Sequence, residues 1–335
     1  MNKIEKKNIE FNYNYVICGS NGYYLYGYHD AIKHSQVKYF TSYLDVESNL
    51  YRLLLRINYS DKINKFVKNP FGSFVYSKLY PHQFSNDKPI CFIFFRNHEK
   101  VYASGYLSYL RKRFPTCKII LYLQDLVKLK TSYTLEQIRN YFDIIISYDK
   151  GDAVNYNLLF HPTPMSFINV DPDNSLSDSD VYFCGYAKKR YRKIIDIYNK
   201  CIEQGLKCDF NIMGLPKGEK RISGINYPDI LFSYTENIQH ILKTKCILEI
   251  MQDNADGFTP RLWESIIYDR HLLSNNKNIA SSIFYNAEGC HIINEINTIN
   301  LKEWINKMVK YSDNLKKSLS PIHLLQFVDE KLSNH

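Results

Sequence analysis

The chain has 335 residues, 45% of them apolar, with 29 tyrosines and a formal charge of +9. That length suits two domains of about 150 residues each, and 13 glycines with 11 prolines exclude a low-complexity chain. No run approaches the roughly 20 apolar residues needed to cross a bilayer, and residues 1–14 lack the apolar core of a signal peptide, so a cytoplasmic protein is expected.

The charge is uneven. Residues 1–160 hold 22 Lys+Arg against 13 Asp+Glu, whereas residues 161–335 hold 21 of each. A basic first half suits an anionic partner, with ordinary solubilising charge as the plainer alternative. It carries no recognised RNA- or DNA-binding motif, so no nucleic-acid partner is expected. Eight cysteines are scattered without a CxxC pair or a Cys/His cluster of zinc spacing. Several lie in apolar runs, where a reduced thiol behaves as a small hydrophobe.

In chain order, short apolar runs alternate with helical patterns. Strands are predicted at 15–18, 90–95, 118–123 and 143–147, and helices at 48–59, 102–114 and 134–141. Residues 161–180 break the pattern with three prolines and a Ser/Asp-rich tail, as an interdomain linker would. The alternation restarts with strand 181–184, helix 191–204, strand 209–213 and helix 234–242. Strand 246–250, helix 260–268 and strand 271–274 follow, then helical regions at 301–317 and 322–332. This order predicts an α/β protein of two Rossmann-like, doubly wound domains facing a cleft, with ligands beyond the carboxyl ends of the strands. The expected division is an N-terminal acceptor domain at 1–165, a linker at 166–179 and a donor domain at 180–335. The last helix is free to pack on either domain.

Several strand ends carry chemistry. Gly185 closes the first strand of the second half, and Lys188, Lys189 and Arg190 follow it. A strand, a glycine turn and a basic helix start place N–H groups and cations where a diphosphate would sit. A turn glycine beside solvated lysines is the alternative. Arg190 is the preferred phosphate ligand because a guanidinium binds two phosphate oxygens at once. Asp256 and Gly257 form a turn before a helix that carries Glu264. Thr259, Pro260 and Arg261 fit its cap, first-turn proline and start. A carboxylate there can accept hydrogen bonds from two vicinal ribose hydroxyls, although two acids eight apart are common. Arg261 either binds phosphate or pairs with an acid, and Glu249 is a ligand residue or an edge position. In the first half, His98, Glu99 or Asp125 is the candidate general base toward an acceptor hydroxyl; singly, each is more often a loop residue. The Gly-rich loop 18–28, with Gly19, Asn21, Gly22 and Tyr23, reads as an acceptor loop whose tyrosines stack on sugar rings, or as a loop packed on its own domain.

Three segments, FDIIISYDKGDAVNYNLLFHPTP (142–164), DVYFCGYAKKRYRKIIDIYNKCIEQGLKCDFNIMG (180–214) and DGFTPRLWESIIYDRHLLSNNKNI (256–279), resemble bacterial GT-B glycosyltransferases of capsule, lipopolysaccharide and O-antigen clusters. The last resembles the donor motif in which an acid, seven residues and a glutamate precede an "LLT-N" strand. The resemblance implies that Glu264 binds the nucleotide ribose, that Gly185 and Arg190 approach the diphosphate, and that Thr259 and Arg261 line the pocket. Lys188, Gly214, Glu249 and Gly257 are further candidates for the same donor site, and the resemblance sets Asp256 where retaining relatives often carry glutamate. It also implies a nucleotide-sugar as substrate, no metal or other cofactor, and a lipid-linked glycan acceptor at the inner face of an anionic membrane. The triplets DPD (171–173) and DSD (178–180) match a metal motif but fall in the expected linker. A polyol-phosphate transferase centred on His98 and a non-catalytic nucleotide-binding scaffold are the competing readings.

Overall fold

A computed structural model describes residues 9–19, 25–80, 83–95, 101, 105–127, 134–230, 232–251, 257–293 and 300–334. The chain forms two units, Met1–Ser166 together with Ser320–His335, and Phe167–Leu319.

The first unit is built on six parallel strands: β1 (Asn14–Cys18), β2 (Val37–Phe40), β3 (Ile90–Phe95), β4 (Lys118–Leu123), β5 (Ile144–Ser147) and β6 (Leu159–Phe160). Their order across the sheet is β2-β1-β3-β4-β5-β6. The central strands are apolar at nearly every position because both faces are covered. Val16, Phe92, Phe94, Ile119 and Leu121 point into one core, with Leu55, Tyr106 and Leu110 from the covering helices. Tyr15, Ile17, Ile93, Ile120 and Tyr122 point into the other. The helix Pro321–Ser333 closes that second face with Leu324, Leu325, Val328 and Leu332. Tyr15 donates from its hydroxyl to Asp329 at 2.6 Å, and the Asn12 N–H donates to the other oxygen of the same carboxylate at 2.8 Å. The C-terminal helix thus belongs to the first unit.

The second unit carries β7 (Ser179–Tyr186), β8 (Cys208–Met213), β9 (Ile225–Asn226), β10 (Thr244–Glu249), β11 (His271–Ser274) and β12 (Cys290–Ile292), all parallel. Their order, β9-β8-β7-β10-β11-β12, reverses direction between β7 and β10. That reversal is the switch point at which such sheets bind ligands. One face packs on the helix Tyr191–Glu203 through Val181, Phe183, Phe210, Leu248 and Ile194. The other face meets the helices Tyr234–Leu242 and Pro260–Ile267. Residues 167–179 run along this unit: Tyr268 donates to the Ile168 carbonyl at 3.1 Å and accepts from its N–H at 3.2 Å.

Four strands lack an apolar run long enough to be read from sequence: the short pairs β6 and β9, the three-residue β12, and the edge strand β2, where Lys38 faces solvent. The single helical region expected at 301–317 is two helices, Leu301–Ile305 and Asp313–Ser318. Ser312 starts the second by accepting from the Leu315 N–H at 3.2 Å. All eight cysteines are free, and seven are buried. No helix among the described residues is long and apolar enough to cross a membrane.

Candidate functional site

The switch point of the second unit gathers a set of ionisable groups. β7 ends in Gly185 and Tyr186, and the chain turns through Ala187 into a short 3-10 segment, Lys188–Arg190. That turn folds the Arg190 side chain back over the strand end. Its Nε and Nη2 donate to the Tyr186 carbonyl at 3.2 and 3.1 Å, and its Nη1 donates to the Ile250 carbonyl just beyond β10. Arg261 comes from the other side, from the first turn of the helix Pro260–Ile267, and donates to the Cys184 carbonyl. The two guanidinium carbons lie 6.0 and 5.8 Å from the centre of the Phe183 ring, a distance at which a cation is attracted by an aromatic face.

Gly185 makes this convergence possible. A Cβ there would lie 2.9 Å from Nη2 of Arg261 and 3.4 Å from Nη2 of Arg190. Among the described residues, neither arginine forms a salt bridge. Burial and the neighbouring Arg261 push the Arg190 pKa down to about 10. Two cations held together on backbone carbonyls suit a polyanion, whose oxygens they would bind in forked pairs.

Two buried carboxyl groups sit behind them. Glu249 ends β10, a strand inside the sheet rather than at its edge. Its two oxygens accept hydrogen bonds from Thr259 and Ser274. Burial raises its pKa, against the hydrogen bonds of Ser274 and Thr259 and the charge of Arg261. Glu249 therefore fixes Thr259, which in turn caps the helix by accepting from the Arg261 N–H at 3.3 Å. Glu264 lies on the buried face of the same helix, 3% exposed. Its Oε1 accepts from Asn237 Nδ2 at 3.1 Å, and Asn237 Oδ1 accepts from Tyr182 at 2.9 Å. Burial pushes the Glu264 pKa up to about 7, against the pull of Arg261 and Asn237.

Gly185, Arg190, Glu249, Thr259, Arg261 and Glu264 thus come together around the ends of β7 and β10. Gly257 joins them through its carbonyl, which accepts from Asn276 Nδ2 at 2.9 Å. Gly214 takes φ of +65° beyond β8, its Cβ direction 3.5 Å from the Tyr186 ring. Lys188 is exposed, with φ of +43°. In the first unit Gly19 follows β1 with φ of +80°, its N–H donating to the Phe40 carbonyl at 2.8 Å. Asp125 is exposed after β4, next to Gln124, whose buried Nε2 has no hydrogen-bond partner among the described residues. Asn21, Gly22, Tyr23, His98, Glu99 and Asp256 lie outside the described residues.

Sequence reasoning missed Asn237, Ser274 and Phe183 as parts of this site. Asn237 follows a capping box, Ser233 with Glu236, that marks a helix start but not the partner of the helix's fourth residue. Phe183 reads as an ordinary core residue of the run VYFCG.

No protein-family model matches the chain, and no curated protein matches it significantly. Its likeness is to solved structures. One, from work on enzymatic glycosyltransfer with retention by trehalose-6-phosphate synthase, gives a TM-score of 0.50 at 10% identity, over 96% of this chain and 99% of that one. Another, accessory secretory protein 1, 2 and 3 of Streptococcus pneumoniae, gives 0.52 at 11% identity over 80% of this chain. The glycosylation-associated Gap123 complex of Streptococcus agalactiae gives 0.44 at 12% identity over 81%. The chain spans 58% of the matched chain in each streptococcal structure. With its two parallel six-stranded sheets, the chain has the two-domain Rossmann-like architecture of GT-B glycosyltransferases.

Proposed function

We propose that the chain is a glycosyltransferase that moves a sugar from a nucleotide-sugar to a hydroxyl of a growing, lipid-linked surface glycan. The observation that carries this reading is the pair Arg190 and Arg261 over Gly185, with Glu264 behind it at the switch point of the second unit. The two guanidinium groups supply positive charge where a diphosphate leaving group develops negative charge, which is the electrostatic assistance such a transfer needs. Glu264, in its ionised form, accepts hydrogen bonds from the ribose hydroxyls. Glu249 holds Thr259 and the helix start in register. Lys188, Gly214 and Gly257 border the donor. Asp125, His98 and Asp256 remain the candidates for acid–base or nucleophilic work, and the loop with Gly19, Asn21, Gly22 and Tyr23 the candidate for acceptor contacts. No metal is assigned a step. In this reading the protein works in the cytoplasm, peripheral to the inner face of the membrane that carries its acceptor, in a pathway such as capsule or lipopolysaccharide assembly.

The test is saturation-transfer NMR and thermal shift across UDP-, GDP-, CMP- and dTDP-sugars, with Glu264→Ala as control. Selective binding lost in Glu264→Ala supports the donor site and names the sugar to carry into a transfer assay. Binding to none of the donors overturns it.

A further inference from the structure

One segment of the first unit, residues 48–78, exposes five large apolar side chains. In the helix Asn49–Asn58, Tyr51, Leu55 and Asn58 turn inward, while Leu50 and Leu53 stand 63% and 54% exposed. Leu50, Leu53 and Ile57 fall on one stripe at helical spacing, with Arg52 and Arg56 flanking it. The chain continues through Phe66 and Val67, exposed by 89% and 55%, and Phe74, exposed by 61%. Monomeric proteins seldom present so many large apolar side chains from one short segment without a use for them.

These side chains are held in place. Asn58 accepts from the Phe71 N–H at 3.0 Å, Asn64 accepts from the Asn69 N–H at 2.6 Å, and Asn64 donates to the Asn58 carbonyl at 2.8 Å. The loop between the helices is therefore tied back to the first helix while Phe66 and Val67 point outward. Phe74, in the helix Gly72–Tyr76, stacks on Tyr51 with ring centres 5.8 Å apart, which holds this helix against the first.

The charge around these side chains is predominantly positive. Between residues 48 and 78 the cations are Arg52, Arg56, Lys62, Lys65, Lys68 and Lys78, and the only acid is Asp61. Beside the patch lies a cavity of about 700 Å³ whose walls include Tyr51, Lys78, Lys38 and Arg113. Lys78 sits 5.2 Å over the Tyr51 ring, and among the described residues none of these three cations forms a salt bridge. Glu47 is the acid in the cavity wall.

We propose that residues 48–78 form a membrane-docking surface for an anionic bilayer. Leu50, Leu53, Phe66, Val67 and Phe74 enter the interfacial layer, the surrounding lysines and arginines meet lipid phosphates, and the Lys38–Lys78–Arg113 cavity takes one headgroup phosphate. Apolar side chains on a cationic rim match the two layers of such a surface, and neither component alone anchors a protein stably. The inference rests on the peripheral membrane association proposed above and locates it in a specific segment.

The experiment is flotation of the full chain with vesicles of phosphatidylcholine alone and with 30 to 40% (roughly) phosphatidylglycerol, at low and high salt. Wild type should float with the anionic vesicles at least tenfold more than with the neutral ones, and high salt should reduce this. The double variants Phe66→Ser/Val67→Ser and Lys65→Glu/Lys68→Glu should each lower the bound fraction about tenfold with Tm and nucleotide-sugar binding unchanged. Phe66 is so exposed that replacing it opens no cavity. Vesicle binding that survives both double variants overturns the segment while leaving membrane association standing. A wild-type chain that binds no vesicle but loses self-association or a protein complex in the variants overturns the membrane proposal in favour of a protein interface. Donor binding is read separately in solution, so its loss or presence reports on the catalytic reading alone.

Discussion

Arg190 and Arg261 converge on one strand end: Arg190 is anchored on the carbonyls of Tyr186 and Ile250, Arg261 on that of Cys184. They meet over Gly185, where no side chain keeps them apart. Like charges brought together in this way repel, and burial together with this repulsion lowers the Arg190 pKa. A bound diphosphate would reverse the sign of the interaction. The consequences are separable by mutation.

Substituting Gly185→Ala adds a methyl 2.9 Å from an Arg261 nitrogen. The obstructed atom is the tip of a flexible side chain, so the fold should tolerate the change with Tm shifted by only a few degrees. The guanidinium has to move aside, and diphosphate affinity should fall about tenfold, which corresponds to about 1.4 kcal/mol. Calorimetric titration with nucleoside diphosphate measures this directly.

Removing either guanidinium should weaken the same affinity by about 10- to 100-fold, the range for a charged hydrogen bond of about 1.5–3 kcal/mol. Arg190→Lys keeps the charge but loses the forked donor pair, so it should recover only part of the loss. Because both side chains would bind one group, the double variant should lose less than the product of the single losses. A double-mutant cycle reads that coupling.

Glu264 makes stability depend on pH. Its folded pKa, raised by burial to about 7, exceeds the ordinary value of 4.5. The folded state therefore holds a proton that the unfolded state releases. Stability from this group is fully present below about pH 4.5 and is lost as pH rises through about 7. The difference reaches about 3 kcal/mol at about 1.4 kcal/mol per pKa unit. Glu264→Gln should flatten that decline between pH 5 and 8 in denaturant unfolding. A decline unchanged in the variant would assign it to other groups.

Thr259→Val removes two functions of one hydroxyl, the helix cap and the hydrogen bond to Glu249. A lost cap costs about 1 kcal/mol, and a buried acid left with fewer partners costs about 1–3 kcal/mol more. Thermal unfolding should show a clear fall in Tm, larger than that of Ser312→Ala, which removes a cap on an exposed helix without a buried acid.

Much of this fold was legible in the chain. The runs ICFIFF and KIILYL gave β3 and β4 at their observed limits because both faces of each are buried, so nearly every position is apolar. The helix Tyr234–Leu242 and the strand His271–Ser274 were readable too, one from its place in the alternation of helical patterns and apolar runs and the other from a compact apolar run. The edge strand β2 was not, since its sequence VKYF puts a lysine in solvent and has no length to show alternation. The same limit applied to the site. Gly185, Arg190, Arg261 and Glu264 could be picked out because glycine, arginine and acids at strand ends and helix starts carry local meaning. That Glu249 would be engaged by Thr259 and Ser274, or that Asn237 would stand between Tyr182 and Glu264, depends on which strands are neighbours. Sequence distance conveys none of that.

The central claim is that the paired arginines hold the diphosphate of a nucleotide-sugar. The measurement that tests it most directly is calorimetric titration of matched nucleoside mono- and diphosphates into wild type and Arg190→Ala/Arg261→Ala. Wild type should bind the diphosphate at least tenfold more tightly than the monophosphate, and the double variant should lose that preference while its monophosphate affinity changes little. Equal affinities in wild type, or a preference that survives the double variant, would contradict the account.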